Sequence, residues 1–154
     1  LNARYAWVDV WKFNHTVDGA KPFPGKTDFP VKALESAIEL YGGGFQIEPD
    51  ENPWVVLFYE GVREKYINAV ASLGSHWEKS GDAGRAIGCY RKGIAVESLS
   101  EELYQRLMVL LEKQGRSGEA LVLYKRLEKG LEEVFGIAPS PRTKNIYLSL
   151  SAGK

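Results

Sequence analysis

The sequence predicts an all-α chain of stacked antiparallel helix hairpins, an α-solenoid, on two observations. A thirteen-residue skeleton occurs twice, "EKSGDAGRAIGCY" at 78–90 and "EKQGRSGEALVLY" at 112–124, with six identical positions and an offset of 34 residues. Around each copy, apolar residues recur at spacings of three and four, which places them on one face of a helix. The chain is 154 residues long, 44% apolar and 26% charged, enough for one domain with its own hydrophobic core.

In chain order, residues 1–30 read as a junction and linker and 31–152 as the domain proper. "ARYAWVDV" at 3–10 reads as a short strand, after which Asp9 can cap a helix carrying Val10, Phe13 and Val17. "DGAKPFPGKTDFP" then reads as a linker, with three prolines and two glycines. The strand has no partner in the chain, and the chain opens at Leu1 and Asn2 without Met. Both features are expected of a piece cut from a longer protein with a neighbouring upstream domain.

Val31 to Tyr41 reads as an amphipathic helix with Leu34, Ala37, Ile38 and Tyr41 on one side, broken by "GGG" at 42–44 and a loop through Pro49. Asn52 can cap the next helix and Pro53 suits its first turn. That helix, 53–80, carries Trp54, Leu57, Phe58, Gly61, Val62 and Tyr66 on its inner face, then Ile67, Val70, Gly74 and Trp77. Gly81 stops it, because glycine accepts the left-handed backbone of a helix C-terminus. Asp82 begins the return helix, where small Ala86 allows close approach and Tyr90 fills the space one turn on. The second unit repeats this with Tyr104, Leu107, Leu111, Gly115, Ala120 and Tyr124. Gly136 ends it, Ser140 and Pro141 start a last helix over 141–150, and Ile146, Leu148 or Leu150 lies against the preceding repeat.

A 34-residue period is that of the tetratricopeptide helix-turn-helix. Leu73, Gly74, Trp77, Gly81, Ala86 and Tyr90 resemble its consensus Leu, Gly, aromatic, Gly, Ala and aromatic. Ser98 and Glu132 stand where the consensus has proline, and Met108 where it has glycine, so the repeats are divergent. Two repeats are fewer than the roughly three needed to bury their faces, which assigns helix 31–41 and the start of helix 53–80 to a third, irregular hairpin.

The C-terminal half carries a closer resemblance. "LYQRLMVLLEKQGRSGEALVLYKRLEKGLEEVFGIAPSPRT", followed by Tyr147, resembles the bacterial transcriptional activator domain, a tetratricopeptide-like module of bacterial regulators. The matching elements are Leu107-Met108, Gly115-Arg116, Glu119-Ala120-Leu121, Tyr124, and Phe135-Gly136-Ile137-Ala138-Pro139-Ser140 with Thr143. "LYGGGF" at 40–45, Trp54 and Arg63 match the earlier part of the pattern, and "WVDVWKF" at 7–13 resembles the junction leaving an upstream winged helix. Departures are Phe135 for a leucine and a longer linker around 19–30. The resemblance implies a module that supports activation through protein contacts, while an absent winged-helix domain binds DNA. Its implied partners are proteins: other domains of the same regulator, a second copy, or the transcription machinery.

Charge agrees with that division. Twenty basic and twenty acidic residues cancel, so no whole-chain field attracts a nucleic acid or an anionic membrane. No run of about 18 apolar residues exists to span a membrane. The single Cys89 permits no internal disulfide and fits a cytoplasmic protein.

Candidate chemistry is sparse. "PGKT" at 24–27 resembles a phosphate-binding loop, but with Gly25 as its second glycine the first would fall on Ala20. His15, His76 and Cys89 make no zinc spacing. Cys89 aligns with Leu123 and reads as an apolar position. Glu101-Glu102 suits a helix N-terminus, where the dipole is positive. No catalytic residue, cofactor or metal follows from the sequence. Recognition is instead expected on the face formed by the first helix of each pair, at Asn68, Ser75, Glu78 and Lys79, then Gln105, Glu112 and Lys113. A solvated polar face predicts the same residues. The competing functional readings are a peptide-binding scaffold unconnected with transcription and a hydrolase using Cys89.

Overall fold

The computed structural model describes residues 3–19, 29–41 and 53–152. Among them are seven helices and no strand: α1 (Ala3–Gly19), α2 (Val31–Tyr41), α3 (Pro53–Lys79), α4 (Ala83–Val96), α5 (Glu101–Lys113), α6 (Ser117–Phe135) and α7 (Pro141–Ala152). The Asn52 cap, the "GGG" break and "PGKT" lie outside the described residues. The expected strand at 3–10 is corrected: those residues are the first turns of α1. A helix satisfies its backbone groups internally, whereas a strand without a neighbour leaves them unpaired. Val10 and Phe13 fall three apart on the same helix, and both are buried.

The chain divides into two compact units, Leu1–His76 and Trp77–Lys154. In the first, α1 packs on α2. The Phe13 ring lies 5.4 Å from that of Tyr41, which in turn stacks on Tyr66 of α3 at 4.0 Å. Lys65 Nζ of α3 donates to Asn14 Oδ1 and Asp18 Oδ2 of α1, each at 3.0 Å. All four apolar residues expected on α2, namely Leu34, Ala37, Ile38 and Tyr41, are buried.

The expected inner face of α3 needs a second correction. Val62 and Tyr66 are buried, but Trp54 is 80% exposed, Leu57 64% and Phe58 38%. α2 ends at Tyr41, whose ring lies on Tyr66. This contact lies about three turns beyond Trp54 along α3.

In the second unit, the sequence repeat is also a repeat of backbone hydrogen bonds. Gly81 N–H donates to Glu78 O at 3.1 Å and Asp82 N–H to Trp77 O at 2.9 Å. Thirty-four positions on, Gly115 N–H donates to Glu112 O at 2.9 Å and Arg116 N–H to Leu111 O at 2.8 Å. These are the paired bonds of a Schellman stop, and both glycines have positive φ, 78° and 71°. The two turns differ in their next residue. Asp82 accepts a hydrogen bond from Arg85 N–H at 2.9 Å, a side-chain cap typically worth about 1 kcal/mol, whereas Arg116 caps α6 without one.

The short turn at Gln114–Arg116 folds α6 back along α5 as an antiparallel hairpin. Packed against α4, α6 and α7, α5 is the central helix of this unit. Its burial of Leu103, Tyr104, Leu107, Met108, Leu110 and Leu111 follows from being covered on several sides. Met108, at the position of a consensus glycine, is fully buried and fills that space. Ala86 and Ala120 are both fully buried on their respective helices. α7 packs on α5 and α6, burying Leu150, while Leu148 faces outward.

Candidate functional site

α5 also has a polar stripe. Glu102, Gln105, Arg106 and Val109 follow the i, i+3, i+4, i+7 spacing of one helix face. With Glu78 from the last turn of α3, and Ser140, Arg142 and Ile146 from the start of α7, they line an open cleft of about 420 Å³. Two carboxylates and two guanidiniums balance its charge, over apolar contributions from Val109 and Ile146.

The α3–α5 side is held by fixed hydrogen bonds. Tyr90 Oη donates to Glu78 Oε1 at 2.6 Å. Burial, and next the Glu78 carboxylate, push the Tyr90 phenol far above its usual range, so its proton stays in place and it remains a donor. Arg106 donates through Nε at 3.1 Å and Nη2 at 2.9 Å to Glu102 Oε1. Burial works to lower the Arg106 pKa, but Glu102 and Tyr90 outweigh it, and the guanidinium is held firmly charged.

The α7 side is tied to α5 by a buried network. Thr143 is fully buried, and its hydroxyl donates to Glu101 Oε2. With that proton committed, Thr143 Oγ1 accepts from Gln105 Nε2 at 2.8 Å and from Ser140 Oγ at 3.1 Å. Ser140 N–H donates to the same Glu101 oxygen at 2.9 Å. Burial would raise the Glu101 pKa, but the hydrogen bonds from Thr143 and Ser140 prevail and lower it, so the carboxylate is charged. Thr143 in the first turn of α7 and the Ser140 backbone just before it thus bind one α5 carboxylate.

Of the seven residues expected on the recognition face, Glu78 and Gln105 line the cleft. Gln105 is only 9% exposed and orients α7 through Thr143. Lys79, Glu112 and Lys113 are exposed near the turn glycines, outside the lining. Asn68 is exposed and Ser75 half-buried on the part of α3 that belongs to the first unit. Sequence reasoning missed Glu102, Arg106 and Val109, although their helical spacing around Gln105 was a usable signal. Ser140, Arg142 and Ile146 had no such signal, because only the seating of α7 brings them beside α5.

Among the described residues, no group of His, Cys, Asp and Glu could hold a metal ion. His15 stacks on Trp11 at 5.3 Å, His76 on Phe29 at 4.2 Å, and Cys89 is buried. No described helix is long and apolar enough to cross a membrane.

A family model described as "Bacterial transcriptional activator domain" matches residues 8–150. The chain is also similar to a transcriptional regulator, RedD of Streptomyces coelicolor, with 28% identity over 146 residues. That match takes in 94% of this chain but 42% of the relative's length. No solved structure gives a significant match.

Proposed function

From the premise that the chain belongs to the bacterial transcriptional activator domain family, we propose that it is the protein-interaction module of a cytoplasmic transcription activator. The cleft between α5 and α7 is its docking surface. The observation that carries this reading is the cleft's composition: preorganised, polar and charge-balanced. Opposed carboxylates and guanidiniums suit a polypeptide bearing charges of both signs. A nucleic-acid backbone would set its phosphates against Glu78 and Glu102.

DNA contact belongs to a separate winged-helix part of the regulator. The zero net charge of this chain and the greater length of its relative support that division. The hairpins are tetratricopeptide-like, a reading supported by the shared 34-residue offset of sequence and turn hydrogen bonds. The occupant is a protein: another domain of the same regulator, a second copy, or the transcription machinery.

Charge reversal at the exposed Arg142 tests the reading. In the intact regulator, Arg142→Glu should lower transcription from a reporter promoter while leaving retention of promoter DNA unchanged. Undiminished transcription would refute the docking role. The isolated chain should not retard duplex DNA at moderate salt, and specific submicromolar-range binding would overturn the division of labour.

A further inference from the structure

α7 is a thinly anchored helix. Only Thr143 and Leu150 among its residues are buried, with Ile146 and Tyr147 half-buried and Tyr147 stacked on Tyr124 of α6 at 4.1 Å. Its N-terminal turn carries no large buried apolar side chain, the nearest buried apolar residue being Pro139 just before it. Glu101 ties that turn to α5 by accepting from both the Thr143 hydroxyl and the Ser140 backbone, while Gln105 donates to Thr143. These bonds join groups 38 to 42 residues apart in the chain and run from α5 to the start of α7. A carboxylate at a helix N-terminus also meets the positive end of the helix dipole. Ser140 just before this turn, Arg142 within it and Ile146 one turn on are the α7 wall of the cleft.

We infer that Glu101 is a positioning residue: its carboxylate seats the first turn of α7 and so builds one wall of the cleft, coupling cleft occupancy to α7 seating. The coupling half rests on the docking role proposed above; the seating half stands on the hydrogen bonds alone. A partner that binds only the seated form meets an affinity reduced by the unseated fraction. By linkage, that partner tightens α7 in return.

Hydrogen exchange of the 154-residue chain, read by mass spectrometry without any partner, tests the seating. Glu101→Ala should speed exchange of the α7 amides by on the order of 10- to 100-fold, as expected for losing charged hydrogen bonds. Glu101→Gln should give a smaller acceleration, because its amide oxygen still accepts but carries no charge. Amides of α4 serve as the internal reference and should be unchanged in both. Glu102→Ala removes the adjacent first-turn carboxylate, whose partner Arg106 is on α5 itself, and should leave α7 exchange as in the parent.

Wild-type α7 rates in Glu101→Ala overturn the inference. So does acceleration of α4 and α7 together in both Glu101 variants, which would make the effect global, and so does equal acceleration by Glu102→Ala. Failure here leaves the docking role intact. An Arg142→Glu regulator with undiminished transcription would instead sink the docking role and leave the exchange result standing.

Discussion

Replacing Gly115 by alanine should destabilise the protein, and the same replacement at Gly88 should stabilise it. Gly115 sits at φ 71° in the stop between α5 and α6, a left-handed conformation that costs an L-residue roughly 1–2 kcal/mol. A Cβ built there meets nothing within 4 Å, so no clash adds to the backbone strain and no contact offsets it. Gly115→Ala is therefore expected to lower stability by about 1–2 kcal/mol. Gly81, with φ 78° and the same two hydrogen bonds, should give a matching loss.

Gly88 also has open space around its Cβ, but it is exposed inside α4 with ordinary helical φ. There alanine should gain about 0.5–1 kcal/mol. Gly115→Asn should recover part of the loss, since asparagine tolerates the left-handed region. Urea unfolding followed by far-UV circular dichroism, with midpoints compared at equal m, reads all four variants. Gly115→Ala and Gly88→Ala shifting the midpoint in the same direction would refute the reasoning.

The remaining predictions concern packing and charge. Tyr104 is fully buried with a hydroxyl that has no hydrogen-bond partner among the described residues, so Tyr104→Phe should raise stability by about 1 kcal/mol; a lowered midpoint would reveal a partner. Ala120 is fully buried on α6, and Ala120→Leu should overpack that helix at a loss of about 1–3 kcal/mol, with an unmoved midpoint counting against the tight approach. Thr143 and Ser140 overcome the opposing effect of burial and hold the Glu101 pKa below its ordinary value. On acidification the unfolded chain therefore takes up this proton first. The stabilisation is complete above the ordinary carboxylate pKa and is lost as pH falls through the lowered folded value. Glu101→Gln should flatten stability against pH across that window, and superimposable curves would contradict the assignment.

Local rules made much of the architecture legible. Gly81, Gly115 and Gly136 were read as stops because glycine alone enters the left-handed region freely, and all three have positive φ. The α2 core and the helix start at Asp82 likewise depend on neighbours within one or two turns. Helical spacing alone does not reveal how far a partner helix extends, so Trp54, Leu57 and Phe58 were placed on a buried face that α3 leaves exposed. The strand expected at 3–10 failed for a related reason: a strand exists only where another backbone receives its hydrogen bonds, and the helix needs none.

The candidate site divides along the same line. Glu78 and Gln105 could be named from their place in the repeat, because a helix period sets which residues share a face. That Gln105 is buried, that Glu101 joins Ser140 to Thr143, and that Arg142 lines one cleft with Glu102 depended on the docking of α7 against α5. Periodicity and turn chemistry act over a few residues and are written in the order of side chains. A wall made by two helices some forty residues apart exists only once buried hydrogen bonds and packing have selected one seating among those the chain could try.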